Sequence, residues 1–163
     1  MEKWDAYDEN LNLIEGVILT RGERIPDGIF HLVCDIIVRH IDGDYLIMQR
    51  DANKHYGGMW EATAGGSALK GESELQCAIR ELFEETGICT DKLTEVGRVV
   101  DKDNHSYYVE YLCVTNCDKN SVVLQEGETS DYKWVDKSTL ISMKGNDLIT
   151  ERMQLFIDEL TSS

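Results

Sequence analysis

The chain has 163 residues, enough for one domain with a real hydrophobic core. Its 31 acidic against 16 basic residues give a formal charge of −15, which argues against nucleic-acid backbones and anionic membrane surfaces as partners. No apolar run approaches membrane-spanning length, and the first twenty residues carry Glu2, Asp5, Asp8, Glu9 and Glu15 in place of an apolar signal core, so a soluble, cytoplasmic protein is expected.

In chain order, residues 3–7 and 12–19 read as short strands joined by the polar turn Asp8-Glu9-Asn10. A connector from Arg21 to Gly28 follows and holds the only proline, Pro26. Residues 30–40 and 44–50 are apolar, β-branched runs split by Asp42-Gly43, a strong hairpin signal. A loop from Asp51 to Gly58 comes next, and Met59-Trp60 leads towards Gly65-Gly66. Ser73 caps a helix, Gln76 completes a capping box, and Gly87 ends the helix where a left-handed residue is usually needed. Leu75, Ile79, Leu82 and Phe83 recur at helical spacing and are expected to form its buried stripe. Beyond it, residues 94–101, 106–115, 121–125 and 131–135 read as strands. Ser138 to Met143 suggests a short helix, and Leu148, Met153, Phe156, Ile157 and Leu160 suggest an amphipathic one. This order fits one mixed α/β domain over residues 1–163, opened by a hairpin and connector over 1–28.

The chemistry concentrates between Gly66 and Ile88. The stretch reads Gly66, five residues, Glu72, seven residues, Arg80-Glu81-Leu82, one residue, Glu84-Glu85, one residue, Gly87-Ile88. From average residue usage, a chance match to all nine positions is below about one in a million. On the helix, Glu81, Glu84 and Glu85 fall at i, i+3 and i+4, which gathers three carboxylates on one face. Like charges this close need a compensating cation, and hard divalent ions with oxygen ligands, Mg²⁺ above all, provide it. A solvated acidic face is the competing reading, but it leaves Gly65-Gly66 and Arg80 unexplained. Glycines allow close backbone approach, and Arg80 can hold a carboxylate by bidentate hydrogen bonds.

This stretch resembles the Nudix box and matches the family's pattern without a departure. The resemblance implies an α/β/α sandwich with a mixed sheet and the box over 66–88 as a loop–helix–loop. It implies an enzyme, a pyrophosphohydrolase that uses Mg²⁺ or Mn²⁺ to cleave a diphosphate linkage, usually in a nucleoside diphosphate joined to another group. By position it implies Glu81, Glu84 and Glu85 as metal-binding glutamates, with the backbone carbonyl of Gly65 as a further ligand. Glu72 and Arg80 would orient the helix and its carboxylates. A further acid beyond the box often binds metal or acts as base in this family. Glu128 is preferred for that role and Glu126 stands second, with solvated loop acids as the competing reading.

Outside the box, Trp4-Asp5-x-Tyr7-Asp8, the segment from Arg21-Gly22-Glu23 to Gly28, His31-Leu32 and Trp60 resemble a Nudix branch related to isopentenyl-diphosphate isomerase. The isomerase pattern has a catalytic cysteine where this chain has Gly65 and a metal-binding histidine where it has Ser67, so isomerase chemistry is disfavoured. A nucleotide-sensing module without turnover is another alternative, yet such modules commonly lose box acids and none is lost here.

The remaining candidates have plainer readings. Cys34, Cys77, Cys89, Cys113 and Cys117 are an odd number without a CxxC pair and read as free thiols. His31 reads as a hydrogen-bonded core histidine more readily than a ligand, while His40, His55 and His105 have no claim on chemistry. Arg50 and Lys54 flank the loop before the box, where they meet either substrate phosphates or only water; Lys54 is assigned to the surface and Arg50 left open. Trp4, Tyr56 and Trp60 read as core or rim packing. The expected partner is a small diphosphate compound, with a homodimer through the N-terminal strands or last helix also plausible. The sequence chooses neither the group attached to the diphosphate nor the general base, which is a helix glutamate or Glu128.

Overall fold

The computed structural model describes residues 1–148, 157 and 158. It opens with a two-stranded antiparallel hairpin, β1 (Lys3–Tyr7) and β2 (Leu13–Thr20). A separate seven-stranded sheet comprises β3 (His31–His40), β4 (Tyr45–Arg50), β5 (Trp60–Glu61), β6 (Thr63–Ser67), β7 (Thr94–Asp101), β8 (Ser106–Thr115) and β9 (Thr129–Val135). Its hydrogen-bonded path runs β5–β4–β3–β8–β7, with β6 also on β3 and β9 also on β4. The β3–β8 pairing is parallel and the others are antiparallel. Helix α1 (Glu74–Thr86) lies between β6 and β7 in sequence, and α2 (Lys137–Met143) follows β9.

Strand alternation divides the core into two layers. Cys34, Ile36 and Val38 of β3, with Leu46 and Met48 of β4, pack against Cys77, Ala78 and Leu82 of α1. The opposite parity, Ile37, Tyr45 and Ile47, packs against Leu140 and Met143 of α2, with Leu148 and Ile157. This is the sandwich that the sequence resemblance implies. The amphipathic pattern through Met153, Phe156 and Leu160 lies outside the described residues, whereas Leu148 and Ile157 are both buried.

Two expectations need correction, and one strand was not foreseen. First, α1 does not bury Leu75, Ile79, Leu82 and Phe83 as one stripe, for Leu75 is 40% and Phe83 55% exposed. The buried face is Cys77, Ala78, Glu81, Leu82, Glu85 and Thr86. The cause is close approach: α1 packs on β3 and β6, where Gly66 offers no side chain, so small residues and carboxylates face inward. Second, residues 121–125 are not a strand; Val123 N donates to Thr86 O and the segment covers the end of α1 instead. The unforeseen strand is the segment through Gly65-Gly66, β6, paired with β3 from Val33↔Ser67 to Ile37↔Thr63. Its alanine- and glycine-rich sequence carries almost no β-propensity.

Candidate active site

The caps foreseen for α1 are all present. Ser73 accepts from Gln76 N, Gln76 accepts from Ser73 N, and Gly87 takes a left-handed conformation at φ 78°. They fix where the helix starts, and hence which of its residues overhang β6.

Beside α1 lies a cleft of about 630 Å³. Gly65, Arg80, Glu81, Glu84, Glu85 and Glu128 line it, and so do Asp35, Arg50, Lys54 and Glu61. Glu81 and Glu85 are each only 9% exposed, whereas the Glu84 side chain is 41% exposed. Glu85 accepts a hydrogen bond from Gly65 N at 3.1 Å, which ties the helix to β6. A β-carbon on Gly66 would sit 2.6 Å from a carboxylate oxygen of Glu81, so any side chain there would have to displace that carboxylate.

Arg80 organises the acids. Its Nε and Nη2 donate side-on to the two oxygens of Glu72 at 2.7 and 2.9 Å. Nη2 also donates to Ser67 O at 3.1 Å, and Nη1 reaches Glu81 at 2.7 Å and Glu84 at 3.2 Å. Glu72 itself is anchored by Leu69 N at 3.0 Å, and Arg80 thereby connects the loop before the helix with the carboxylates on it. Glu72 is not a cleft-lining residue; its side chain reaches the site acids through Arg80.

The charge balance is strained in one direction. Burial pushes the Glu85 carboxyl well above its ordinary range, and the neighbouring Glu81 and Glu61 push it further. Burial also raises Glu81, with hydrogen bonding to Arg80 opposing it. For Glu72 the balance reverses: hydrogen bonds from Arg80 and Leu69 outweigh burial and hold it low. Among the described residues no three acids, histidines or cysteines form a ready-made metal-binding group; Glu81 and Glu84 turn onto Arg80 instead. The donor set nevertheless fits a hard divalent cation, being oxygen-rich, clustered and short of positive charge.

Outside the box, Glu128 is half-buried in the cleft in an ion pair with Lys54, whereas Glu126 is exposed and does not line it. Lys54, assigned from sequence to the surface, is therefore a cleft residue. Arg50 lines the cleft as well, paired with Glu61. His31 is a core histidine, donating from Nδ1 to His105 O at 3.0 Å and stacking on Trp4 at 4.2 Å. Trp60 carries Lys133 over its ring 4.4 Å from the centroid, and Tyr56 is 57% exposed at the cleft rim. All five thiols are free, and none is among the described residues that line the cleft. Asp35, Glu61 and Glu2 are the cleft acids that sequence reasoning missed. An aspartate inside the apolar run Val33-Cys34-Asp35-Ile36 was the available signal, since buried charges seldom occur without a partner or a role.

A NUDIX domain model matches residues 30–154 of the chain. An uncharacterized Nudix hydrolase of Listeria monocytogenes is 32% identical over 148 residues, 90% of this chain and 86% of that protein. An isopentenyl-diphosphate Delta-isomerase of Photobacterium profundum is 27% identical over 70% of this chain and 69% of its own. In fold, the chain is similar to a crystal structure of a Deinococcus radiodurans protein, with a TM-score of 0.76 over 97% of this chain and 98% of that one at 16% identity. With an intact box on a capped helix and a match running through most of its length, this chain belongs to the Nudix family of hydrolases.

Proposed function

We propose that this pyrophosphohydrolase uses Mg²⁺ to split the P–O–P link of a small diphosphate compound, a nucleoside diphosphate joined to another group being the leading class. The observation that carries this reading is the convergence of Glu81, Glu84 and Glu85 with Gly65 in one cleft around Arg80. Nudix enzymes generally use divalent metal ions. Here the three helix glutamates, the Gly65 carbonyl and Glu128 would hold them. Bound Mg²⁺ supplies Lewis acidity towards the diphosphate oxygens and towards water.

The protein's own groups do the rest. Arg80 and Glu72 keep the helix carboxylates aligned over β6. Arg50 and Lys54 bind the diphosphate from the β4 side of the cleft, where planar and point cations complement phosphate oxygens. A glutamate at the cleft, one of the helix acids or Glu128, takes the proton from the attacking water. In-line attack then leaves two phosphorylated products. The cleft's lining is rich in charged residues, and this favours a hydrophilic attached group over an isoprenoid tail. No helix among the described residues is long and apolar enough to cross a membrane.

The test is Mg²⁺-dependent release of phosphorylated products from nucleoside triphosphates, nucleotide sugars, dinucleotides and isoprenoid diphosphates, with Glu84→Gln beside the wild type. Turnover of one class, lost in the variant, supports the reading. Binding of one ligand without turnover of any compound would replace it with a nucleotide sensor.

A further inference from the structure

Arg50 ends β4 at the cleft, and its side chain is fixed at two points by the protein itself. Nε donates to His55 O at 2.7 Å, and Nη1 donates to Glu61 Oε1 in a close ion pair. Its backbone is held as well, with Arg50 N donating to Met59 O at 2.9 Å and Arg50 O accepting from Gly58 N at 3.0 Å. Nη2 makes no hydrogen bond among the described residues, so its two N–H groups, with the second N–H of Nη1, are left for a ligand.

Glu61 belongs neither to the box nor to its helix. On β5 it sits opposite Met48, which puts it diagonally across from Arg50 on the same strand face, within reach of long side chains. The two side chains are 17% and 23% exposed, so the pair is sheltered from solvent and salt. A long arginine held this way loses its rotamer freedom on folding rather than on binding, which is how preorganisation improves affinity.

We propose that Glu61 is a positioning residue that holds the Arg50 guanidinium as a preformed clamp for the substrate diphosphate, and is not itself a metal ligand. This rests on the reading above of Arg50 as a diphosphate contact. A clamp engages the substrate before and during the reaction alike, so its loss raises KM and spares kcat.

The experiment measures methylenediphosphonate affinity by calorimetry, Mn²⁺ affinity by electron paramagnetic resonance, and steady-state kinetics. It compares wild type, Glu61→Gln, Glu61→Asp, Arg50→Gln and the double variant Arg50→Gln/Glu61→Gln. Glu61→Gln is expected to weaken diphosphonate binding and raise KM by about tenfold, with kcat within about twofold. Mn²⁺ affinity should stay unchanged, Glu61→Asp should recover most of the loss, and Glu61→Gln should cost nothing further once Arg50 is Gln. Should Glu61→Gln fail to fold, Arg50→Gln carries the test: it should weaken diphosphonate binding and raise KM with Mn²⁺ affinity unchanged, while Glu61→Asp stays close to wild type. Weakened Mn²⁺ binding, a fall in kcat at constant KM, additivity in the double variant, or no diphosphonate binding by wild type would each overturn the proposal. If wild type turns over no compound at all, the hydrolase reading fails while the calorimetric comparison still decides the role of Glu61.

Discussion

Two arginines in this protein gather glutamates, and the contrast between them separates a site from a surface. Arg98 on β7 binds Glu74 at 2.7 Å and Glu95 at 2.6 Å; Arg80 on α1 binds Glu72, Glu81 and Glu84 at 2.7 to 3.2 Å. By ion-pair distance they are alike. What differs is what lies behind them. Arg80 also reaches a backbone carbonyl, Ser67 O, and its carboxylates overhang a glycine strand and a deep cleft. Arg98 is the more exposed of the two, 37% against 24%, and does not line that cleft. On the proposed function, the Arg80 acids held against the backbone at the cleft carry the chemistry, and the Arg98 cluster serves solubility.

The comparison can be broken from the Arg80 side with the largest effect. Glu81→Gln keeps the shape of the buried side chain and removes its charge. Turnover should fall by at least about 10²-fold, the scale of losing charge stabilisation by a bound cation; a variant with near-normal kcat would end the claim that this cluster is the catalytic one. Gly66→Ala tests the backbone rather than the acid. The added methyl must displace the Glu81 carboxylate, and a shift of a few tenths of an ångström should cost about tenfold in kcat with little change in fold by circular dichroism.

Glu72→Gln sharpens the comparison through stability. Because hydrogen bonds from Arg80 and Leu69 hold the Glu72 carboxyl below its ordinary range, folding favours its ionised form. Its stabilisation is present above the unfolded-state pKa and is lost as pH falls through the lower folded-state pKa. Urea unfolding should therefore show Glu72→Gln less stable than wild type by about 1.5–3 kcal/mol at pH 7, the range for a hydrogen bond to a charged group. The gap should close as pH falls below the ordinary carboxyl range. A gap that stayed constant with pH would mean that packing, not charge, is what Glu72 contributes. The smallest effect belongs to Arg98→Gln, where about 0–1 kcal/mol of stability is expected, shrinking in high salt, with turnover unchanged. A large loss of activity there would erase the distinction between the two arginines.

Legibility from sequence followed the range of the interactions. Ser73, Gln76 and Gly87 are read correctly because a helix is capped by its own neighbours in the chain, and Asp42-Gly43 marks its hairpin for the same reason. The register of Glu81, Glu84 and Glu85 follows from helical spacing alone. By contrast, β6 escaped notice, since Thr63-Ala64-Gly65-Gly66-Ser67 is a strand only because β3 pairs with it. The segment 121–125 has strand-like composition but spends its backbone on the end of α1, and Lys54 looks like a surface lysine until the chain fold brings Glu128 across to it.

By itself, then, the sequence determined the family motif, the helix that carries it, and which acids that helix presents, all products of contacts within a few residues. Only the tertiary structure decided which face of α1 is buried, and that Asp35, Glu61, Arg50 and Lys54 join the box acids in one cleft. Those residues come from separate strands and loops, and what brings them together is sheet pairing and close packing over glycine, to which no local pattern in the chain is sensitive.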